Sequence, residues 1–197
     1  MTIPPDFEIK SSKRISMEFV KRNILTFKQA TLFVKQLGYG RNNDKNNLIS
    51  VFTDNCGTCS TKHALIKDLA VENNFQELKL IIGIFKMNIK NTPEIAGTFL
   101  KHNIDLIPEA HCYLKYEEQI IDLTKINSNP GDFLDDLIEE IEISSNQITD
   151  YKVNYHKNFL ASWLKNNKKI NYKLNDIWNI REQCIQNLTE AHNKNNS

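Results

Sequence analysis

One cysteine stands where a protein nucleophile is usually placed. Cys59 follows Gly57 and Thr58, and the apolar stripe of a helix begins one turn later, so Thr58 is predicted to cap a helix starting at about Cys59. A thiol at a helix N-terminus meets free backbone amides and the positive end of the helix dipole, which favour the thiolate. The same amides can hold an oxyanion. A small buried side chain at a helix start has the same pattern, and this segment alone does not decide between the two.

A histidine and an aspartate flank a predicted hairpin further along the chain. In an antiparallel pair, residues i and j on one face keep a constant parity of i+j, and His111 and Asp122 satisfy this in two registers. With Lys115 paired to Glu118 their side chains are directly opposite. With Lys115 paired to Ile120 they are diagonal on the same face. Either register lets the carboxylate orient the imidazole as a base, although, for this pair taken alone, a core histidine and an unrelated surface aspartate are the simpler explanation.

Together these segments resemble the transglutaminase-like cysteine enzyme superfamily, with its papain-like core. The resemblance covers residues 48–126 and consists of a Gly57-x-Cys59 motif entering a helix with Ala64 and Leu65, an apolar strand, His111 at the start of a strand, and Asp122-x-Thr124 at the end of the next. It implies that Cys59 is the nucleophile, His111 the base and Asp122 the residue that orients the base.

The reaction implied by this resemblance is acyl transfer through a thioester from a peptide or amide substrate. Water as acceptor makes the protein an amidase or peptidase, and an amine as acceptor makes it a cross-linking transferase. Neither needs a metal or an organic cofactor. Cys112 replaces the aromatic residue that often follows the histidine in this superfamily, and the hairpin is short, so the subfamily and the substrate stay open. A non-catalytic binding module of the same fold also stays open.

Two other readings use the same cysteines. Cys56 and Cys59 form a C-x-x-C motif that is also typical of thioredoxin-like dithiol oxidoreductases, but this reading leaves the histidine and aspartate unexplained. A zinc site built from Cys56, Cys59, His111 and Cys112 is the third hypothesis. Adjacent residues on a strand point to opposite faces, so His111 and Cys112 are poorly placed to share one ion.

Several polar residues close to the motifs are further candidates for the site. His63 lies one turn after the cysteine on the predicted helix, and Glu109 shares a strand face with the histidine. Lys62 can add positive charge, and Arg41 and Asn42 precede the nucleophile. For each of these residues the simpler expectation is a solvent-facing side chain.

The elements that must position these residues predict an α+β fold. The run Leu78–Phe85 is typical of a buried strand, and two short strands at Ala110–Tyr116 and Gln119–Thr124 carry the hairpin. The strands lie together with helices before and after them, which favours a nucleophile-bearing helix packed on a small antiparallel sheet. Helical spacing predicts three more helices in the C-terminal part, at 133–143, 150–164 and 174–191.

Length and composition predict one domain. The 197 residues are interpreted as a flexible arm at 1–14, a single domain at 15–192 and a disordered tail at 193–197. A net charge of +1 gives no reason to expect a nucleic-acid partner. The longest apolar run, Leu80–Phe85, is far shorter than the ~20 residues of a bilayer helix, and no apolar leader is present, so a cytoplasmic location without a membrane partner is expected. The oligomeric state stays open.

Overall fold

The fold is α+β, as the sequence predicts. The computed structural model describes residues 6–195. Its helices are α1 (Arg14–Val20), α2 (Phe27–Gln36), α3 (Ser50–Thr53), α4 (Cys59–Glu72), α5 (Ala96–His102), α6 (Asp150–Asn166) and α7 (Leu174–Asn195). Its strands are β1 (Gly38–Tyr39), β2 (Cys56–Gly57), β3 (Lys79–Asn88), β4 (Leu106–Tyr116), β5 (Gln119–Ile121) and β6 (Leu137–Ile143).

Four strands form one antiparallel sheet in the order β5-β4-β3-β6. β3 and β4 pair from Lys79 opposite Lys115 to Asn88 opposite Leu106. β5 pairs only with residues 114–116 of β4, so the part of β4 that carries His111 lies at an edge of the sheet. β1 and β2 form a separate parallel pair directly before α4.

The sheet separates two hydrophobic cores, because alternate residues of a strand point to opposite faces. On one face, even-numbered residues of β3 and β4 such as Ile82 and Cys112 pack against α4 and the N-terminal helices. On the other face, odd-numbered residues such as Ile81 and Tyr113 pack against residues of α5, α6 and α7. The central strand β3 is buried at most positions, as expected for a strand covered on both faces.

Helix α4 runs through the first core and begins where the sequence predicts. Thr58 is its N-cap with extended backbone angles, and the Thr58 N–H donates to the Thr61 hydroxyl at 3.1 Å. The first eight residues of α4, from Cys59 to Ile66, are all buried. The N-terminal end of this helix is therefore enclosed by the rest of the domain.

The prediction of a helix at 133–143 is wrong, because residues 137–143 form the edge strand β6. Leu134, Leu137, Ile138 and Ile141 follow the i, i+3, i+4, i+7 spacing of an amphipathic helix. In the structure, β6 has a β-bulge where it pairs with Ile84 and Phe85 of β3, and the bulge reverses the alternation of its side chains between the two faces. As a result, Leu137 packs on the face opposite to that of Ile141.

Part of the predicted N-terminal arm is attached to the domain. Glu8 forms an isolated β-bridge with Thr26, Ile9 is buried, and the Lys10 N–H donates to the Asn73 side chain at 2.9 Å. Residues 1–5 of the arm lie outside the described residues. Of the predicted tail, residues 193–195 continue α7 and residues 196–197 lie outside the described part. Within residues 6–195, no helix is long and apolar enough to cross a bilayer.

Candidate active site

Cys59 is the first residue of α4 and lines two neighbouring cavities. One cavity has a volume of about 610 Å³ and also contains His111 and Asp122 in its wall. The other has a volume of about 560 Å³ and is bounded by the first turn of α4 and by Lys152. The Cys59 side chain is largely buried, but it faces space on both sides.

The hairpin brings His111 and Asp122 together in one of the two registers considered above. Lys115 pairs with Ile120, which places the two side chains diagonally on one face, and His111 Nε2 lies 3.1 Å from Asp122 Oδ2. Asp122 follows the last residue of β5, and its Oδ1 accepts hydrogen bonds from the N–H and the hydroxyl of Thr124 at 2.9 and 2.5 Å. The carboxylate is therefore fixed while it orients the ring. The Nδ1 atom of His111 is left for another partner.

The charge state of this pair follows from its contacts. Burial opposes ionisation of Asp122, but His111 and Thr124 hold the pKa of the carboxyl well below its usual range. Burial also opposes protonation of His111, but Asp122 and Cys59 outweigh it and raise the His111 pKa to about 10. An imidazolium at neutral pH is the result. Aromatic rings surround it, with the Phe133 centroid 4.9 Å and the Phe85 centroid 6.3 Å from that of His111.

The Cys59 thiol has a pKa well below its usual value. The neighbouring Cys112 thiol is the largest cause, burial opposes it, and Lys152 and His111 lower the pKa further. Cys112 keeps its proton, because Cys59 and burial raise the Cys112 pKa. Of the two thiols, Cys59 is the one at a helix N-terminus, where the dipole and free amides add to these effects. The arrangement favours a Cys59 thiolate facing a His111 imidazolium.

His63 is fully buried, so the expectation of a solvent-facing side chain is wrong. Its Nδ1 lies 2.6 Å from the Cys59 carbonyl oxygen, and its Nε2 accepts the Leu123 N–H at 2.7 Å. Burial lowers the pKa of His63 to about 4, so the ring is neutral and Nδ1 carries the proton. Asp122 Oδ1 lies 3.5 Å from Nε2, but Nε2 already accepts a proton and has none to donate. His63 therefore ties the start of α4 to the segment that carries Asp122.

Lys62 is also buried rather than solvated. Its ammonium donates to the Leu37 and Thr124 carbonyl oxygens at 2.6 and 2.9 Å. Burial lowers its pKa to about 8, with Asp122 acting in the opposite direction. Lys62 and His63 thus hold the same two segments together from adjacent positions of one helix turn.

Arg41 and Asn42 have different positions. The Asn42 side chain donates to the Cys56 carbonyl oxygen at 2.8 Å and accepts the Thr61 hydroxyl at 2.7 Å, so it supports the turn into α4. Arg41 is exposed at the rim of the smaller cavity and pairs with Glu182 at 2.5 Å.

Two charged groups reach the site from the C-terminal helices, which the motifs did not predict. Lys152 on α6 is buried, and its Nζ lies 2.8 Å from the Ser60 hydroxyl and 3.7 Å from the Cys59 sulphur. Arg181 on α7 donates to both carboxylate oxygens of Glu109, at 2.8 and 2.5 Å. Glu109 lines both cavities next to Cys59 and is buried, so the expectation of a solvent-facing side chain is wrong for this residue too. Only tertiary packing brings these residues to Cys59, since no local pattern marks them.

The other cysteine of the C-x-x-C motif faces elsewhere. Cys56 lines a separate cavity that does not include Cys59, and burial raises the pKa of the Cys56 thiol. Within residues 6–195, no three His, Cys, Asp or Glu side chains converge in a way that could hold a metal ion.

Comparison with protein-family models, curated proteins and solved structures gives no match for this chain.

Proposed function

We propose that this protein is a thiol enzyme that transfers acyl groups or hydrolyses amides through Cys59, His111 and Asp122. The observation that carries the proposal is the 3.1 Å contact between His111 and Asp122 in the wall of the cavity that Cys59 lines from a helix N-terminus. A nucleophile, a base and a group that orients the base are the parts that covalent acyl transfer requires. The order of the three residues along the chain also resembles that of transglutaminase-like enzymes.

In the proposed reaction, the Cys59 thiolate attacks the carbonyl carbon of an amide or ester. A carbon–sulphur bond forms, and the electron pair of the carbonyl π bond moves to oxygen. The free N–H of Cys59 at the start of α4 is placed to donate to this oxyanion. The oxyanion then re-forms the carbonyl, the bond from carbon to the leaving nitrogen or oxygen breaks, and His111 gives its proton to the leaving amine or alcohol. The resulting neutral imidazole removes a proton from water or from an acceptor amine. Attack of that acceptor on the thioester releases the product and restores the thiolate.

An activated ester tests this reaction without knowledge of the natural substrate. With p-nitrophenyl acetate, the wild-type protein is expected to release a burst of nitrophenolate equal to the enzyme concentration, with acetyl on Cys59 by peptide mass spectrometry. Slower steady release reports hydrolysis of the thioester. Added cadaverine diverts the acetyl group if amines are accepted, so the same assay separates hydrolase from transferase.

Three variants make the assay specific. Cys59→Ser is expected to lose the burst. His111→Ala should acylate slowly and then accumulate acetyl-Cys59, because no base activates the acceptor. Cys184→Ser removes a buried thiol of the second core and serves as the matched control with a normal burst. Acetylation of another cysteine, or no acylation of Cys59 in the folded protein, contradicts the proposal and leaves a dithiol enzyme or a non-catalytic module to be tested.

A further inference from the structure

Lys152 is a buried cation beside the nucleophile, contributed by a helix outside the segment that resembles transglutaminase-like enzymes. It is the third residue of α6 and is only 7% exposed. The ammonium lies 2.8 Å from the Ser60 hydroxyl and 3.7 Å from the Cys59 sulphur. It therefore touches the first two residues of α4, where the backbone amides are also free.

A buried ammonium needs a negative partner, because its desolvation costs several kcal/mol. Among residues 6–195, no carboxylate lies within ion-pair distance of Lys152. The nearby Glu109 is held by two hydrogen bonds from Arg181. Cys59 is in contact with Lys152, and its lowered pKa makes it the contacting group that becomes negative at the lowest pH. Lys152 is accordingly placed to be balanced by a thiolate.

We propose that Lys152 is a second catalytic cation, which pairs with the Cys59 thiolate in the free enzyme and donates to the oxyanion once the acyl group is bound. This inference rests on the proposed acyl-transfer function. It supplies a donor beside the backbone N–H of Cys59, from a side chain that lines the cavity on the first turn of α4. His111 lines the other cavity, so the two cations approach the sulphur from different sides.

The charge movement in the reaction keeps Lys152 paired. When the sulphur attacks the carbonyl carbon, the negative charge leaves sulphur and appears on the carbonyl oxygen. The charge thus moves across two bonds, from sulphur through carbon to oxygen. Lys152 keeps its protons throughout and transfers none. His111 carries the proton to the leaving amine. A fixed cation that lies close to the charge before and after this movement lowers the barrier in a water-poor site, because it does not have to reorganise during the reaction.

Several titratable groups surround Lys152 and must be kept constant in any test. They are Cys59 on α4, Cys112 and Glu109 on β4, Arg181 on α7, and His156 one turn along α6. Cys59, Cys112 and Glu109 favour the charged lysine, and Arg181 and burial disfavour it. Substitutions are therefore made at Lys152 itself.

The test compares Lys152→Met, Lys152→Gln and Lys152→Arg with the wild-type protein. Lys165→Met is the matched control, because it removes an exposed lysine from the same helix. The first readout is the pH dependence of Cys59 alkylation by neutral iodoacetamide. The second is the ratio of alkylation rates with anionic iodoacetate and iodoacetamide, which a cation beside the sulphur raises. The third is the burst rate with p-nitrophenyl acetate, and circular dichroism reports folding.

Lys152→Met and Lys152→Gln are expected to raise the midpoint of the Cys59 thiolate titration by about one pH unit or more, and a rise of one unit lowers the alkylation rate by up to about tenfold at pH values below the midpoint. Both should also lower the iodoacetate ratio, and Lys152→Arg should restore most of each effect. Gln can still donate to Ser60, so it carries the test where Met does not fold. At a pH where Cys59 is fully deprotonated in every variant (the saturating pH), burst rates should fall by a larger factor than alkylation rates, because the oxyanion contact is lost as well.

An unchanged alkylation profile and iodoacetate ratio in folded Lys152→Gln overturns this proposal, even where the wild-type protein shows a full burst. Lowered alkylation with an unchanged burst rate at saturating pH overturns the oxyanion part. Absence of a burst in the wild-type protein contradicts the acyl-transfer function instead, and the alkylation readouts still decide whether Lys152 holds the thiolate.

Discussion

Asp122→Asn tests whether the carboxylate holds His111 as an imidazolium. In the wild-type protein the pKa of His111 is raised from 6.5 to about 10 against the effect of burial. At about 1.4 kcal/mol for each pH unit, this rise corresponds to about 5 kcal/mol of preference for the charged ring, shared between Asp122 and the Cys59 thiolate. Asparagine keeps the shape and the Thr124 hydrogen bonds but removes the charge.

The pH profile of Cys59 alkylation reports both ends of the ion pair. The wild-type rate is expected to reach a plateau below pH 7, when the thiolate forms beside imidazolium, and to rise again near pH 10, when His111 loses its proton. In Asp122→Asn the upper inflection should fall by about 1–3 pH units, the size of a carboxylate's effect on a nearby base. The lower inflection should move up, because the thiolate loses its imidazolium partner. The plateau therefore narrows from both sides.

The same substitution should reduce stability in a defined pH window. His111, with its raised pKa, contributes fully below 6.5 and loses this contribution as the pH rises through about 10. Asp122, with its lowered pKa, contributes above 3.8 and loses this contribution as the pH falls through its folded value. Breaking a buried pair by removing one partner costs about 3–5 kcal/mol. Urea unfolding should show a loss of this order at pH 6 and a much smaller loss above pH 10.

Asp135→Asn is the matched control, because Asp135 is an exposed carboxylate at the same cavity. It should leave the alkylation profile and the unfolding free energy unchanged. An upper inflection that remains near pH 10 in Asp122→Asn would falsify the assignment of Asp122 as the orienting group. An equal response in Asp135→Asn would show a general effect of charge at the cavity.

Three further outcomes are expected. His63→Ala should lower the unfolding free energy by about 1–3 kcal/mol, since it leaves buried backbone groups unpaired. It should shift the pH profile of Cys59 alkylation far less than His111→Ala does. A flat pH profile in His63→Ala alone would instead identify His63 on α4 as the base. Cys56→Ser should leave Cys59 alkylation intact, and insulin reduction by the wild-type protein that this variant abolishes would favour a dithiol enzyme instead. Gly83→Ala places a Cβ 2.7 Å from an aromatic carbon and should lower the free energy of urea unfolding by about 1–3 kcal/mol. Gly97→Ala, in a helix with open space around it, should raise the same free energy by up to about 1 kcal/mol. Similar changes in both variants would contradict the close packing around Gly83 in β3.

The parts of the site that are local in sequence could be predicted. Thr58 marks the start of α4, because a side-chain oxygen is needed there. The parity of His111 and Asp122 follows from strand geometry, and the observed register is one of the two that satisfy it. Such features depend on residues a few positions apart, and no knowledge of the rest of the fold is needed.

Burial on the first turn of α4 could not be predicted from its pattern. Lys62 and His63 resemble a polar face, but two other segments enclose that face. Their backbone carbonyls accept from Lys62, and a backbone N–H donates to His63, which makes burial tolerable. The strand β6 was missed for a related reason. Its bulge against β3 shifts the side-chain alternation, and the shifted pattern coincides with a helical one.

The contribution of the C-terminal helices changes the interpretation of the site. Residues 48–126 contain all three residues of the proposed triad, but they do not contain the cation at 3.7 Å from the nucleophile or the guanidinium that fixes Glu109 beside it. Arg181 on α7 pairs with Glu109 and so offsets the negative charge of this carboxylate at the cavity. Lys152 on α6 lies 3.7 Å from the sulphur and lowers the pKa of the Cys59 thiol together with Cys112 and His111. The two helices therefore add positive charge beside Cys59, and they belong to the proposed active site.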